Sequence, residues 1–277
     1  MISNIIAEIG SKFLQILPRR VARTIFYRIP KDWFCFETMA NYRGSKIVIW
    51  TGENIGRKIF FLNDFEGEQI DIFAKLVDKK TIFYDIGANI GVYALVAGGV
   101  GAKVFAFEPS PNVLPYLKKN IELNEYDISL VPEAIGDKRG EIPFYISTKE
   151  NMGVGRIMAY GKRTDRSIPP VNVPMNTLDH FVESHPMPTL IKMDIEGAEL
   201  FAIEGGKGLF QREDAPMLMI EFHPEEIKHL GGDAVELMEI LRGYGYKQHR
   251  HSSAKAERWY VFSKREFSMP GFIEVNS

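Results

Sequence analysis

The stretch Thr81-Ile82-Phe83-Tyr84-Asp85-Ile86-Gly87-Ala88-Asn89-Ile90-Gly91 decides how this chain folds. An apolar run rich in β-branched and aromatic residues ends in an acidic residue and breaks into closely spaced glycines. That pattern reads as a buried parallel strand turning sharply into a helix. Glycine supplies positive φ and lets a ligand approach the main chain. Taken alone, the stretch suits an ordinary strand-to-helix turn as well as a nucleotide-binding loop.

Lys103-Val104-Phe105-Ala106-Phe107 tips the balance. This second apolar run ends in Glu108-Pro109, which sets an acidic residue 23 positions after Asp85 (85 to 108). In two successive parallel strands the tip of the second lies beside the first glycine turn, where a carboxylate can accept hydrogen bonds from a ribose diol. The loop reads Gly87-x-Asn89-x-Gly91 rather than G-x-G-x-x-G, so no pyrophosphate cradle is spelled out. An acidic residue at the first strand tip disfavours phosphate and favours an ammonium group. Ribose, adenine and an amino acid without phosphate describe S-adenosylmethionine.

Composition sets outer limits. At 277 residues, 45% hydrophobic and 25% charged, the chain can bury one α/β core with additions. A formal charge of −2 offers no basic footprint, so no nucleic-acid partner is expected. Cys35 is the single cysteine, which excludes an internal disulfide and a thiolate zinc site and suits a cytoplasmic setting. His249 and His251 share one strand face but lack a third ligand, and no metal site is expected. There is no apolar run of about 18 residues and no cleavable signal pattern.

Ile2, Ile5, Ile6, Ile9, Phe13, Ile16 and Leu17 recur at helical spacing, followed by Arg19, Arg20 and Arg23. Two readings compete for residues 1–24. One is a helix packed on the domain or on a second subunit of a homo-oligomer; the other is a peripheral contact with the inner face of a membrane. Lys46–Trp50 and Lys58–Leu62 read as a small β-hairpin, giving an N-terminal extension over 1–65. Helices are expected over 66–79 and 112–124, a third strand at Ile128–Val131, and a hairpin turning at Asp137-Lys138-Arg139-Gly140. Residues 148–170, with glycines, prolines and excess basic residues, read as a mobile loop, either a solvated excursion or a clamp for an anionic acceptor.

Thr189-Leu190-Ile191-Lys192-Met193-Asp194 and Pro216–Glu221, the latter followed by Phe222-His223-Pro224, supply two more apolar strands with polar tips. In a doubly wound sheet, ligands bind at the carboxyl ends of the strands. Asp85, Glu108, Asp194 and His223 all fall there.

Asp85–Gly91, Phe107-Glu108-Pro109, Asn176-Thr177-Leu178-Asp179, Ile191–Glu199 and Ile220-Glu221-Phe222-His223 together resemble the FkbM family of S-adenosylmethionine-dependent methyltransferases, over residues 80–225. The resemblance implies a class I methyltransferase fold over 66–277: a Rossmann-like, doubly wound, seven-stranded sheet, mostly parallel with an antiparallel last strand. It implies O-methylation of a hydroxyl, of a sugar in a glycan or glycolipid or of a small-molecule natural product. It also implies that Asp85, Gly87, Asn89 and Gly91 surround the methionine part of the cofactor, that Glu108 holds the ribose, and that Glu133 or Ala134 lies near the adenine. Asp194, Glu196 and Gly197 would flank the transferable methyl.

A hydroxyl acceptor must lose a proton. Histidine titrates near neutrality, so His223 is the expected general base, with Asp194 as orienter or alternative base. Glu196 is either catalytic or a first-turn carboxylate favoured by the helix dipole. Lys192, inward-facing on a central strand, requires a carboxylate partner. A dinucleotide oxidoreductase and a non-catalytic module that keeps the cofactor fold remain as alternatives.

Overall fold

The computed structural model of the chain describes residues 2–146, 169–251 and 258–275, and side chains from residue 5. Residues 148–168 of the expected loop lie outside that description. The strands are β1 (Glu37–Tyr42), β2 (Ser45–Trp50), β3 (Ile82–Ile86), β4 (Lys103–Phe107), β5 (Ile128–Val131), β6 (Ala134–Ile135) and β7 (Gly140–Phe144). They continue with β8 (Val171–Asn176), β9 (Leu190–Met193), β10 (Met217–Glu221), β11 (Lys247–His251), β12 (Trp259–Ser263) and β13 (Phe272–Glu274).

The main sheet runs in the order β5-β4-β3-β9-β10-β12-β11, with the first five strands parallel and β12 antiparallel to both neighbours. This is the expected class I methyltransferase topology. β13 pairs antiparallel with β11 and makes an eighth strand among the described residues. Strand order reverses between β3 and β9, where Asp85 stands opposite Lys192. Side chains alternate across the sheet: Phe83, Val104, Leu190 and Met219 face one hydrophobic cluster, and Tyr84, Phe105, Ile191 and Leu218 face another.

The N-terminal extension is built into the first cluster. Ala7, Leu14, Phe26, Ile47 and Phe60 share it with Ala94, Val104 and Trp259. The hairpin lies earlier than expected: β1 and β2 pair through a turn in which Arg43 and Gly44 both have positive φ. Lys58–Leu62 is helical, part of Asn54–Leu62. The buried Glu53 carboxylate caps this helix by accepting from the N–H groups of Ile55 and Gly56. Ile55, Ile59 and Phe60 then bury one helical face. The hairpin expected at residues 137–140 is also corrected. β7 pairs with β8, which lies between β6 and β7 in a separate three-stranded sheet.

Two asparagines join the extension to the cofactor domain. Asn120, fully buried on helix Leu114–Glu122, accepts from Val48 N–H at 2.6 Å and donates to the carbonyls of Val48 (3.2 Å) and Ile90 (2.8 Å). Asn124 does the same to both backbone groups of Lys46, at 2.8 and 2.7 Å. The two amides occupy the free edge of β2 as a neighbouring strand would. Asn120→Ala leaves these buried groups unpaired and should cost roughly 2–4 kcal/mol of stability. Urea unfolding checks this; a loss under about 0.5 kcal/mol would refute the linking role.

Candidate active site

The site forms at the carboxyl ends of β3, β4, β9 and β10. Beyond β3 the chain turns on Gly87 (φ 80°), Asn89 (φ 54°) and Gly91 (φ 94°) into helix Val92–Val100. A Cβ on Gly87 would run into the Asp194 carbonyl, so only glycine allows the two loops to touch. The N–H groups of Gly87 and Ala88 both donate to Phe107 O, pinning the turn to β4.

Beneath the turn lies Lys192, 2% exposed. Its ammonium donates to Gly87 O at 2.9 Å and lies 3.4 Å from Asp85 and 3.7 Å from Asp194. Burial opposes the Lys192 charge, but Asp85, Asp194 and Glu66 outweigh it and raise its pKa. Burial pushes Asp85 upward as well. Lys192 thus has the carboxylate partner that its position demanded, and its contacts give it a positioning role. Asp85 accepts from Ala94 N–H and is fully buried, and neither it nor Gly91 lines the cavity. Both shape the turn from behind.

A first cleft of about 630 Å³ opens above the turn. Gly87, Asn89, Glu108, Glu133, Ala134, Asp194 and Glu196 line it, so seven of the expected site residues converge. Glu108 accepts from the N–H groups of Asn89 (2.9 Å) and Ser110 (2.8 Å), which aim its carboxylate. Burial raises its pKa to about 7 against those hydrogen bonds. Glu133 accepts from Asn176 at 2.9 Å, while Ile135 and Phe144 provide apolar walls. Among the described residues no Lys or Arg lines this cleft. Carboxylates, one amide and apolar walls fit S-adenosylmethionine, with a ribose, an adenine and an amino acid to hold, and offer a pyrophosphate no cation.

A second cleft, of about 1380 Å³, shares Asn89, Asp194 and Glu196 with the first. His223 lines it, 5% exposed, its Nδ1 3.2 Å from the fully buried Glu199 carboxylate. Its Nε2 lies 3.8 Å from both Asp194 and Glu221. Burial works against a charged imidazole, yet the Glu199 hydrogen bond and the charges of Glu199, Asp194 and Glu196 prevail, raising His223 to about 9. Burial, then Asp194 and Glu66, push Glu221 up to about 8. Asp194, Glu196 and His223 each bring one ligand-type atom within 4.8 Å of the others, a spacing that could hold a divalent cation. Glu196 sits at φ 54°, strained for a residue with a side chain, at the junction of the two clefts.

Sequence reasoning missed the partner of His223 and several residues that line the second cleft. Glu199 lay within the motif read for Asp194 and Glu196, and the signal was its place at the start of helix Glu199–Glu204, next to the His223 strand tip. Lys31, Glu53 and Lys58 come from the N-terminal extension and Arg258 from the segment before β12, which no local motif marks.

Residues 85–247 match the methyltransferase FkbM domain family. The hexuronic acid methyltransferase AglP of Haloferax volcanii is 26% identical over 229 residues, 76% of this chain and 90% of that protein. Uncharacterized protein MJ1452 of Methanocaldococcus jannaschii is 31% identical over 68 residues, 24% of this chain and 26% of that one. Among solved structures, methyltransferase FkbM from Methylobacillus flagellatus matches with a TM-score of 0.47 and 19% identity, over 67% of this chain and 44% of that one.

On the expectation that Glu108 holds the ribose, Glu108→Ala should weaken S-adenosylmethionine binding about 10- to 100-fold, as loss of a charge-assisted contact would. In the wild type, a proton taken up near pH 7 competes with that contact, so affinity should be about tenfold lower at pH 6 than at pH 8. Calorimetric titration measures both, and wild-type affinity in the variant would reject the assignment.

Proposed function

Because this chain belongs to the methyltransferase FkbM family, we propose that it is an S-adenosylmethionine-dependent O-methyltransferase acting on a hydroxyl of an acidic sugar in a glycan or glycolipid. One observation carries the reading: the cofactor-type cleft and a larger polar cleft meet at Asn89, Asp194 and Glu196, with a histidine–carboxylate pair on the acceptor side. When bound, the cofactor supplies a methyl group already activated on a sulfonium. The chain then has to hold the acceptor hydroxyl in line, exclude water and remove a proton.

Glu199 fixes the His223 ring through Nδ1 and leaves Nε2 on the Asp194 and Glu221 side. In this arrangement Nε2 takes the acceptor proton, and the imidazolium that forms is stabilised by Glu199. A base must be neutral before it acts. With His223 raised to about 9, most of it is protonated at pH 7. A cation held in the neighbouring cleft would lower that value by like-charge repulsion.

Acid specificity draws on Lys31, Lys58 and Arg258, which line the acceptor cleft. Six carboxylates also line the cleft, those of Glu53, Glu66, Asp194, Glu196, Glu221 and Glu226, so an acceptor carboxylate has to pair with one of these three cations. The similarity to a hexuronic acid methyltransferase supports the same class of acceptor.

Methyl transfer should rise with pH through about 8 to 9 as His223 deprotonates, because kcat/KM follows the base form. His223→Ala should lower kcat about 10²- to 10⁴-fold with little change in cofactor affinity. Removing the acidic partner in Glu199→Gln should move the rising limb to lower pH. Near-normal turnover in His223→Ala rejects the base assignment.

Lys58→Ala and Arg258→Ala should each raise KM for a hexuronate acceptor about tenfold, corresponding to loss of a partly exposed ion pair of roughly 1 kcal/mol or more. A neutral sugar should be unaffected. If neutral sugars are methylated as efficiently as acidic ones, the acidic specificity is wrong.

A further inference from the structure

Helix Ile2–Ile16 is amphipathic in the opposite sense to an ordinary surface helix. It packs on helix Asn54–Leu62 through its small side: Ala7, Ser11 and Leu14 are buried. Ser11 Oγ and Gln15 Nε2 both donate to Phe60 O, at 2.7 and 2.9 Å. The large apolar residues face the other way. Ile5, Ile6, Ile9, Phe13 and Ile16 are 53% to 80% exposed. At 100° per residue they fall within an arc of about 100°, nearly opposite the buried side. The next helix, Arg19–Phe26, extends the exposed apolar surface with Val21 and Ile25. Of the two readings of residues 1–24, the helix does pack on the domain, but through Ala7, Ser11 and Leu14, and it leaves Ile5, Ile6, Ile9, Phe13 and Ile16 outward; an exposed apolar surface of this kind marks an interaction site.

Charge selects the occupant. Residues 1–31 hold six basic residues and one acidic residue, a charge of +5 in a chain of −2, which leaves −7 for the rest. Lys12, Arg20 and Arg28 are exposed. An isologous dimer through this face would bring +5 against +5. An anionic bilayer surface offers both acyl chains for the apolar arc and headgroups for the basic residues. No helix among the described residues is long and apolar enough to cross a membrane, which leaves docking in the interface plane.

We propose that the first two helices form a docking face for anionic lipid, with Ile5, Ile6, Ile9, Phe13 and Ile16 inserted at the acyl boundary. A groove of about 1130 Å³ lined by Arg19, Arg23 and Tyr27 reaches Lys58 and Glu66, which also line the acceptor cleft. The docking face thus adjoins a route to His223, suited to a glycan presented on lipid. That last link rests on the proposed acceptor class; docking itself does not.

The test is vesicle flotation of the full chain with phosphatidylcholine alone and with 30% phosphatidylglycerol. The wild type should float with the anionic vesicles, with at least tenfold lower recovery on neutral vesicles or in 0.5 M NaCl. The variants Ile9→Gln/Phe13→Gln and Lys12→Glu/Arg20→Glu/Arg28→Glu should each lose at least tenfold, with unchanged circular dichroism, thermal midpoint and methylation of a soluble acceptor. No flotation of the wild type, or equal flotation of the folded variants, overturns the proposal. So does a stable wild-type dimer on light scattering that Ile9→Gln/Phe13→Gln converts to monomer. Because flotation is read without methyl transfer, a wrong acceptor class and a wrong docking face give different results.

Discussion

A single buried cation organises the site. Lys192 stands where strand order reverses, opposite Asp85 on the neighbouring strand, and its ammonium holds the Gly87 carbonyl and approaches Asp194. Burying an ammonium without partners would be prohibitive, so the carboxylates and the carbonyl must be in place for the domain to fold. The same bonds fix the turn from which Asn89 reaches Glu108 and on which the Asp194 loop rests. Both clefts are built on this contact. Asp85, first read as a neighbour of the cofactor ammonium, serves by holding the lysine and the helix start.

The second organising feature is the N-terminal extension. The helical pair and hairpin share one apolar cluster with the central sheet and are stitched to helix Leu114–Glu122 by Asn120 and Asn124. Asn120 also holds the Ile90 carbonyl, so one amide ties the turn after β3 to the extension. Glu53, Lys31 and Lys58 bring the extension into the second cleft. The first cleft is lined from within the family-matched region, and about half of the second cleft's lining comes from outside it.

The central strands and their polar tips were legible in the sequence because local chemistry marks them: apolar runs ending in Asp85, Glu108, Asp194 and His223, each followed by a turn or helix start. Glu108 and Asp194 line the first cleft for that reason; Glu133, Ala134 and Glu196, which line it too, were expected from the family resemblance. Less legible was whatever depends on distant partners. Lys58–Leu62 has β-branched and aromatic content that suits a strand, but the Glu53 cap and burial at helical spacing make it a helix. β8 enters between β6 and β7 although it lies more than 20 residues further along the chain, so the short turn at 137–140 misled the pairing. The charge state of His223 was also beyond reach, since it depends on Glu199, 24 positions away.

A crystal structure of the complex with S-adenosylhomocysteine tests the account most directly. The ribose hydroxyls should lie within hydrogen-bond distance of Glu108, and the sulfur at the junction of Asn89, Asp194 and Glu196, facing the His223 cleft. A product bound with its sulfur turned away from that cleft, or with Glu108 contacting no ribose oxygen, would contradict it.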